Sequence, residues 1–221
     1  MKTLDLQSLY ALILAGNYWR LLFQGLWATV IITLLSLFFG SLLGGVVFHA
    51  SRDRRPWLRT IAKWYRIIVR GTPILMFLLL FYYVVLQGNG GMMAAVIAFS
   101  LNFSNFACAI IQSSIDSVTK GQIEAGQSLG LTRLQILRYI VAPQALSNAM
   151  PTYKFQAVSL VKSTSIVGYV AILDLAQATE VIRNETSMSL LPLIVVTAIY
   201  FLLAWLLNKL LDSLVKTTKQ I

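Results

Sequence analysis

The sequence predicts an all-α membrane protein with about five transmembrane helices, and three observations carry that reading. Hydrophobic residues make up 57% of the 221 and charged residues only 12%, with a mean hydropathy of +0.74; this is too apolar for a water-facing surface. Uncharged runs long enough to cross a bilayer alternate with short polar stretches. The basic residues behind the net charge of +10 flank those runs, which is the positive-inside pattern. A nucleic-acid surface would interleave its cations with aromatics on a polar face, so no nucleic acid partner is expected. The length fits one transmembrane domain, 1–221, with the lipid bilayer as its solvent.

The opening "MKTLDLQSLYALILAGNYWR" has Lys2 and a short apolar run, as secretory signals do. Asp5 intrudes and no A-x-A site follows. An uncleaved amphipathic segment, 1–22, lying at the interface is therefore expected, with Leu6, Leu9, Tyr10 and Ile13 on one face. Leu26 to Phe48 carries no charge and forms span 1. The next stretch, up to Arg70, holds Arg52, Arg54, Arg55, Arg59, Lys63, Arg66 and Arg70 against the single acid Asp53. Such a bias marks a cytoplasmic loop and leaves the N-terminus outside. Between Arg70 and Asp116 no side chain is charged, and "QGNGG", Gln87 to Gly91, is the one strong turn signal. It divides the interval into span 2, Thr72 to Leu86, and span 3, Met92 to Ile115. Beyond Pro151, an apolar run interrupted by Lys162 reads as span 4, a shorter or broken helix. Asp174 to Thr186 is polar and reads as an external connection. Span 5, Met188 to Leu207, returns the chain to a lysine-rich, cytoplasmic C-terminus.

Enzyme chemistry lacks its parts. Cys108 and His49 are each the only residue of their kind, and neither HExxH nor GxSxG is present. The chain also lacks G-x-x-x-x-G-K-[ST], so it is not expected to hydrolyse ATP alone. No cofactor is expected.

The segment 119–143 stands out because a membrane protein has little reason to interrupt its spans with a polar double helix. Thr119 and Gln122 have the T-x-x-Q spacing of a capping box, and Thr132 and Gln135 repeat it. Gly130, between the two, can take the left-handed backbone that ends a helix, and a side chain there is expected to obstruct the turn. Leu134, Leu137 and Val141 share a face suited to packing beneath the spans. The first helix offers Gln122, Glu124, Gln127 and Ser128 with little apolar area. It is short enough to need something to dock against.

Glu124-Ala125-Gly126, three residues, Gly130, nine residues, Ile140 and then Pro143 resemble the EAA loop of ABC-transporter permeases, E-A-A, three residues, G, nine residues, I-x-L-P. Gly126 stands for the second alanine and Ala142 for the leucine. "GLWATVIITLLS", "RGTPIL", "PQALSNAMP" and "LVKSTSI" are similar to motifs of the polar amino-acid uptake subfamily, covering most of the chain from Gly25 onward. The resemblance implies a type I ABC importer permease fold in the bacterial inner membrane, with a cytoplasmic coupling helix. It also implies partners: a second permease subunit, in a homodimer or heterodimer, two cytoplasmic ABC ATPase subunits that bind ATP-Mg, an external solute-binding protein and an amino-acid substrate.

By the same resemblance, Gln122, Glu124, Ala125, Gly126 and Gly130 couple to the ATPase, while Arg70, Gly71, Thr72 and Pro73 form the second-span signature. Pro73 suits a first helical turn with Gly71 and Thr72 as its cap, and Arg70 suits a headgroup anchor. Lys162 is costly if it faces lipid, roughly 2.5 kcal/mol or more, so it belongs on a cavity or interface or snorkels to the headgroups. With Ser163, Thr164 and Ser165 it is assigned to the substrate path. The chain departs from the family in span 3, where "NFACAIIQSSI" replaces A-Y-x-A-E-I-x-R-G-G-I: Ala109 takes the acidic position and Gln112 the arginine position. Those losses point to a less engaged half of a heterodimer or to a different solute. The alternatives are a secondary transporter or channel, which usually places ionisable residues in several spans, and a noncatalytic membrane assembly subunit.

Overall fold

The computed structural model describes residues 18–186 and 190–218, and every regular element among them is helical. The first helix, α1, runs Tyr18–Ser51. At about 1.5 Å per residue its 34 residues reach about 50 Å, well beyond the roughly 30 Å of a hydrocarbon core. It starts before the expected span, so residues 18–22 of the expected interfacial segment belong to α1; the rest of that segment lies outside the described residues. Nothing between Tyr18 and Leu26 interrupts helical backbone: the one glycine, Gly25, is helical and abuts the Asp174 carbonyl.

The basic stretch expected as a cytoplasmic loop holds a helix, α2, Pro56–Gly71. Pro56 sits in its first turn, where its missing amide hydrogen costs nothing. Three residue stripes divide its surface at helical spacing. Ala62, Tyr65 and Val69 pack inward, Trp57, Ile61, Trp64 and Ile68 are exposed, and Arg59, Lys63, Arg66 and Arg70 form the third stripe. Charge bias alone marks the connection between spans but not this periodicity, so the helix within it was not read from the sequence.

Helix α3, Ile74–Val85, follows at a bend of 105°. Thr72 and Pro73 are both extended, as the residue before a proline tends to be. Thr72 does not cap α3: its hydroxyl donates to the Ile68 carbonyl at 2.9 Å and closes α2 instead. Pro73 itself occupies the N-cap position, and its carbonyl accepts from the Met76 amide at 2.9 Å. At about 1.5 Å per residue, α3 is only about 18 Å long, so span 2 is shorter than a straight crossing. Its second half, Leu80–Val85, is wound as a π-helix. The turn at Gln87, Gly88 and Gly90 uses positive φ angles of 52°, 81° and 67°, as its composition required.

Helix α4, Gly91–Asp116, matches the expected third span. It lies against α1 at very close range. A Cβ on Gly44 would stand 2.5 Å from the Ala107 Cβ and 2.8 Å from the Ser104 carbonyl oxygen, and one on Gly40 would stand 2.9 Å from the Phe103 Cβ. Lipid tails are as apolar as the helices, so this pair is held by van der Waals contact between small-residue surfaces. Gly45 has nothing within 4 Å and takes no part. At the helix ends Arg52 pairs with Asp116.

After the short helix α5, Lys120–Ser128, a long rod, α6, runs Arg133–Val170. It contains a π-helical stretch at Leu137–Val141 and finishes in 3-10 geometry over Thr164–Val170. It also continues through Pro151, where the sequence pointed to the start of a span; neighbouring helices let membrane helices tolerate such prolines. Helix α7, Leu175–Thr186, bends away by 54°. Its polar composition reads as a solvated connection, but Leu175, Ala178, Thr179 and Ile182 are buried and so is Asp174. Asp174 accepts the Gln177 amide at 2.8 Å and the Tyr200 hydroxyl at 3.1 Å, which ties the start of α7 to the last helix, α8, Leu191–Thr218. Lys154 of α6 pairs with Asp212 of α8. Among the described residues, three helices are long and apolar enough to cross a bilayer, and up to five spans result if each bent pair counts as one. The core gathers Ile32 of α1, Leu78 of α3, Phe99 and Phe103 of α4, and Leu160 and Val167 of α6.

Candidate coupling segment

Helix α5 begins at Thr119, which is extended as an N-cap should be, but its hydroxyl caps nothing. The Gln122 amide bonds the Thr119 carbonyl at 3.1 Å, and the Gln122 side chain accepts from Gln144 of α6 at 2.7 Å. The first capping box is therefore not formed, because Gln122 is engaged by α6. The second is complete: the Thr132 amide donates to Gln135 Oε1 at 2.8 Å and the Gln135 amide donates to Thr132 Oγ1 at 3.3 Å.

Between the two, Gly130 holds φ at +77°. Its amide donates to the Gln127 carbonyl at 2.9 Å, and the Leu131 amide donates to the Gly126 carbonyl at 3.0 Å. These are the paired bonds of a Schellman stop. A Cβ on Gly130 would meet nothing within 4 Å. Glycine is thus required by backbone conformation, and the obstruction expected from the sequence does not exist.

One side of the segment is anchored. Val118, Ile136 and Val141 are buried together, with Ile115, Ile123, Leu131 and Ile140 packed on them. Leu134 and Leu137 lie on the opposite side of α6 and are exposed, so of the three residues expected to pack beneath the spans only Val141 does. Asn148 of α6 also donates to the Ser117 hydroxyl at 2.9 Å. The other side is open: Gln122, Glu124, Ala125, Gln127 and Ser128 are exposed, and Leu129 and Leu134 stand out at 81% and 73% exposure. Leu129, at the end of α5, and Leu134, in the first turn of α6, are exposed apolar residues on either side of the Gly130 stop, and their exposure was not read from the sequence. The signal available was an apolar residue on each side of the Gly130 stop.

Gly126 is the one buried residue of α5. A methyl there would come within 2.8 Å of Ile140 Cδ1 and 3.3 Å of Ile136 Cγ1. The nearer atom is the tip of a flexible side chain, and alanine gains about 1 kcal/mol over glycine inside a helix. Gly126→Ala is therefore expected to leave the melting temperature of the purified protein unchanged or raised, and a clear fall would show that Ile140 cannot yield.

The hydroxyls expected on a substrate path turn inward on their own helix. Ser163 donates to the Ser159 carbonyl at 3.0 Å, Thr164 to Val161 at 2.7 Å and Ser165 to Lys162 at 3.0 Å. Thr164 is fully buried in the single chain, whereas Lys162 and Ser165 are exposed. Arg70 is on the basic stripe of α2, and Gly71, Thr72 and Pro73 make the bend. Ala109 and Gln112 line a cleft between α2 and α4 with Arg66, whose Nη1 donates to Gln112 Oε1 at 3.4 Å. The residues expected to couple, the hydroxyl group and this cleft lie on different elements: α5 with its Gly130 stop, the far part of α6, and the space between α2 and α4.

A family profile described as "Binding-protein-dependent transport system inner membrane component" matches residues 36–219. The chain belongs to this family. The permease is 33% identical over 196 residues to the L-cystine transport system permease protein TcyB of Bacillus subtilis, covering 87% of this chain and 84% of that protein. It is 29% identical to the putative glutamine transport system permease protein GlnP of Rickettsia bellii, covering 84% and 87%. Among solved structures it is similar to an amino acid ABC transporter with histidines, at TM-score 0.84 and 30% identity over 97% of this chain and 99% of that one. The inward-facing MetNI methionine ABC transporter shares the fold at TM-score 0.74 and 22% identity, over 92% and 98%. The permease thus has the type I importer fold.

Proposed function

We propose that this permease is the membrane subunit of an ATP-driven importer of a polar amino acid. It pairs with a second permease subunit, receives solute from an external binding protein and is driven by two cytoplasmic ATPases, which bind the ATP-Mg. The observation that carries this reading is the two-sided segment 119–143, apolar and anchored on α6, polar with two exposed leucines on the other face. A helix of nine residues is marginal alone. Held from behind and bare in front, it is suited to seat in a cleft of a motor protein and pass its closure to α6. The charges flanking the spans support a cytoplasmic position for this segment and the C-terminus, with the N-terminus outside. The names of TcyB, GlnP and the amino acid transporter support the solute class.

Reconstitution of the permease with its ATPase and binding protein in proteoliposomes tests the whole. Labelled amino acid is expected to enter only with both partners and ATP, and a cysteine at Ala125 is expected to crosslink to the ATPase. Uptake without ATP would instead identify a secondary transporter.

Lys162, exposed on α6 beside Ser165, is assigned to the surface that meets the second subunit along the solute path. Its charge in an apolar setting is costly, roughly 2.5 kcal/mol or more in lipid, and a polar path removes that cost. Lys162→Met is expected to lower uptake while leaving the assembled complex intact on size-exclusion chromatography. Full uptake by that variant would exclude the assignment.

A further inference from the structure

We propose that the cleft between α2 and α4 binds the phosphate headgroup of an anionic phospholipid. The cleft has a volume of about 680 Å³ and is lined by Arg52, Arg59, Lys63, Arg66 and Arg70. Arg52 is matched by Asp116. Among the described residues, no carboxylate lies within 4 Å of Arg59, Lys63, Arg66 or Arg70. Arg66 reaches only the neutral Gln112, and its Nε is buried without a partner. A cavity that concentrates unmatched cations around a buried, unsatisfied donor is built for an anion. Guanidinium groups in particular suit the several acceptor oxygens of a phosphate.

The walls distinguish a lipid from a free ion. Phe48, Ile67 and Phe106 line the same cleft as the cations. From Gln112 to Asn105 it follows α4 for about 10 Å away from the Asp116 end, at about 1.5 Å per residue. A free phosphate would use the mouth and leave those walls facing water, whereas an acyl chain covers them.

Helix α2 supports the same placement. It meets α3 at 105°, so it lies crosswise to the span that follows, and its second stripe, Trp57, Ile61, Trp64 and Ile68, is bare. An amphipathic helix of this design lies in the interface with its apolar stripe among acyl chains and its cations at headgroup level. The basic stripe then opens onto the layer where lipid phosphates are, and clusters of this kind favour anionic lipids.

Native mass spectrometry of the full-length permease, extracted from bilayers of equal phosphatidylglycerol and phosphatidylcholine, tests this. Phosphatidylglycerol is expected to be retained in preference by about ten-fold or more, given what a few juxtamembrane cations contribute. The triple variant R59Q/K63Q/R66Q is expected to lose that preference, while R54Q/R55Q, equally basic positions outside the cleft, keeps it. Equal retention of the two lipids, or an unchanged preference in the triple variant, would overturn the proposal. Release of the lipid by millimolar inorganic phosphate would overturn it too, by assigning the site to free anions. Should the triple variant fail to purify, the unmodified protein decides: phosphatidylglycerol with a photoreactive acyl chain is expected to label the cleft at Phe48, Ile67 or Phe106, and labelling confined to other surfaces would refute the site.

Discussion

Replacing Gly130 with valine is expected to stop solute uptake while leaving the permease in the membrane and its ATPase partner bound. A β-branched side chain at φ +77° costs about 1–3 kcal/mol. The residue relieves that cost by leaving the left-handed region, which breaks the bonds from Gly130 to Gln127 and from Leu131 to Gly126. Helix α5 then loses its stop and its docking angle, and the apolar cluster around Ile136 and Val141 still holds α6 in place. Uptake in proteoliposomes is expected to fall about ten-fold or more, each 1.4 kcal/mol being worth a factor of ten. Because a Cβ at this position meets open space, the loss comes from conformation and not from crowding. Gly130→Asn, which tolerates the same backbone, is therefore expected to keep most of the activity. Equal loss in both variants would show that bulk at this position matters after all, and normal uptake with valine would remove the segment from the coupling route.

Gly44→Leu is expected to prevent the bundle from assembling. The added side chain meets the Ala107 Cβ and the Ser104 backbone oxygen, neither of which can swing aside, so α1 and α4 must separate. Overpacking a core costs about 1–3 kcal/mol where side chains can adjust, and more where backbone must move. In a bilayer no hydrophobic drive restores the pair once its close contact is lost. The expected result is little or no monodisperse protein after extraction, measured by fluorescence-detected size-exclusion chromatography. Gly45→Leu, one residue on and with nothing within 4 Å, is the matched control and is expected to behave like the parent. If both variants purified normally, the tight α1–α4 seam would not be what holds the fold.

The parts of this architecture that were legible in the sequence are those set by local chemistry. The glycine-rich turn after Val85, the Gly130 stop and the Thr132 box are each fixed by what a single residue's backbone or short side chain can do, and all three are present. Helix α4 was legible because an uncharged run between a turn and an acid has one stable outcome in lipid. What escaped depends on partners remote in the chain. Gln122 abandons its capping role because Gln144, on another helix, competes for it. Asp174 looked like part of a solvated loop, yet Tyr200 and the α7 amides satisfy its carboxylate inside the protein. The cations of α2 read as loop markers because their stripe gains meaning only beside α4. For the candidate coupling segment, apolar spacing identified only Val141 of the anchored half, and the bare half, with Leu129 and Leu134, needed the folded surface.

The length of α6, Arg133–Val170, would set a mechanical gain in the proposed coupling. From Gln135, in the complete capping box, to Thr164 at the onset of 3-10 winding is about 44 Å at about 1.5 Å per residue. A tilt of about 5° at the capped end would therefore sweep the hydroxyl-bearing end through about 4 Å, more than the width of a water molecule. In the coupling proposed above, a slight stroke at the base of α6, near the apolar cushion at Ile136, would thus become displacement on the scale of a small solute.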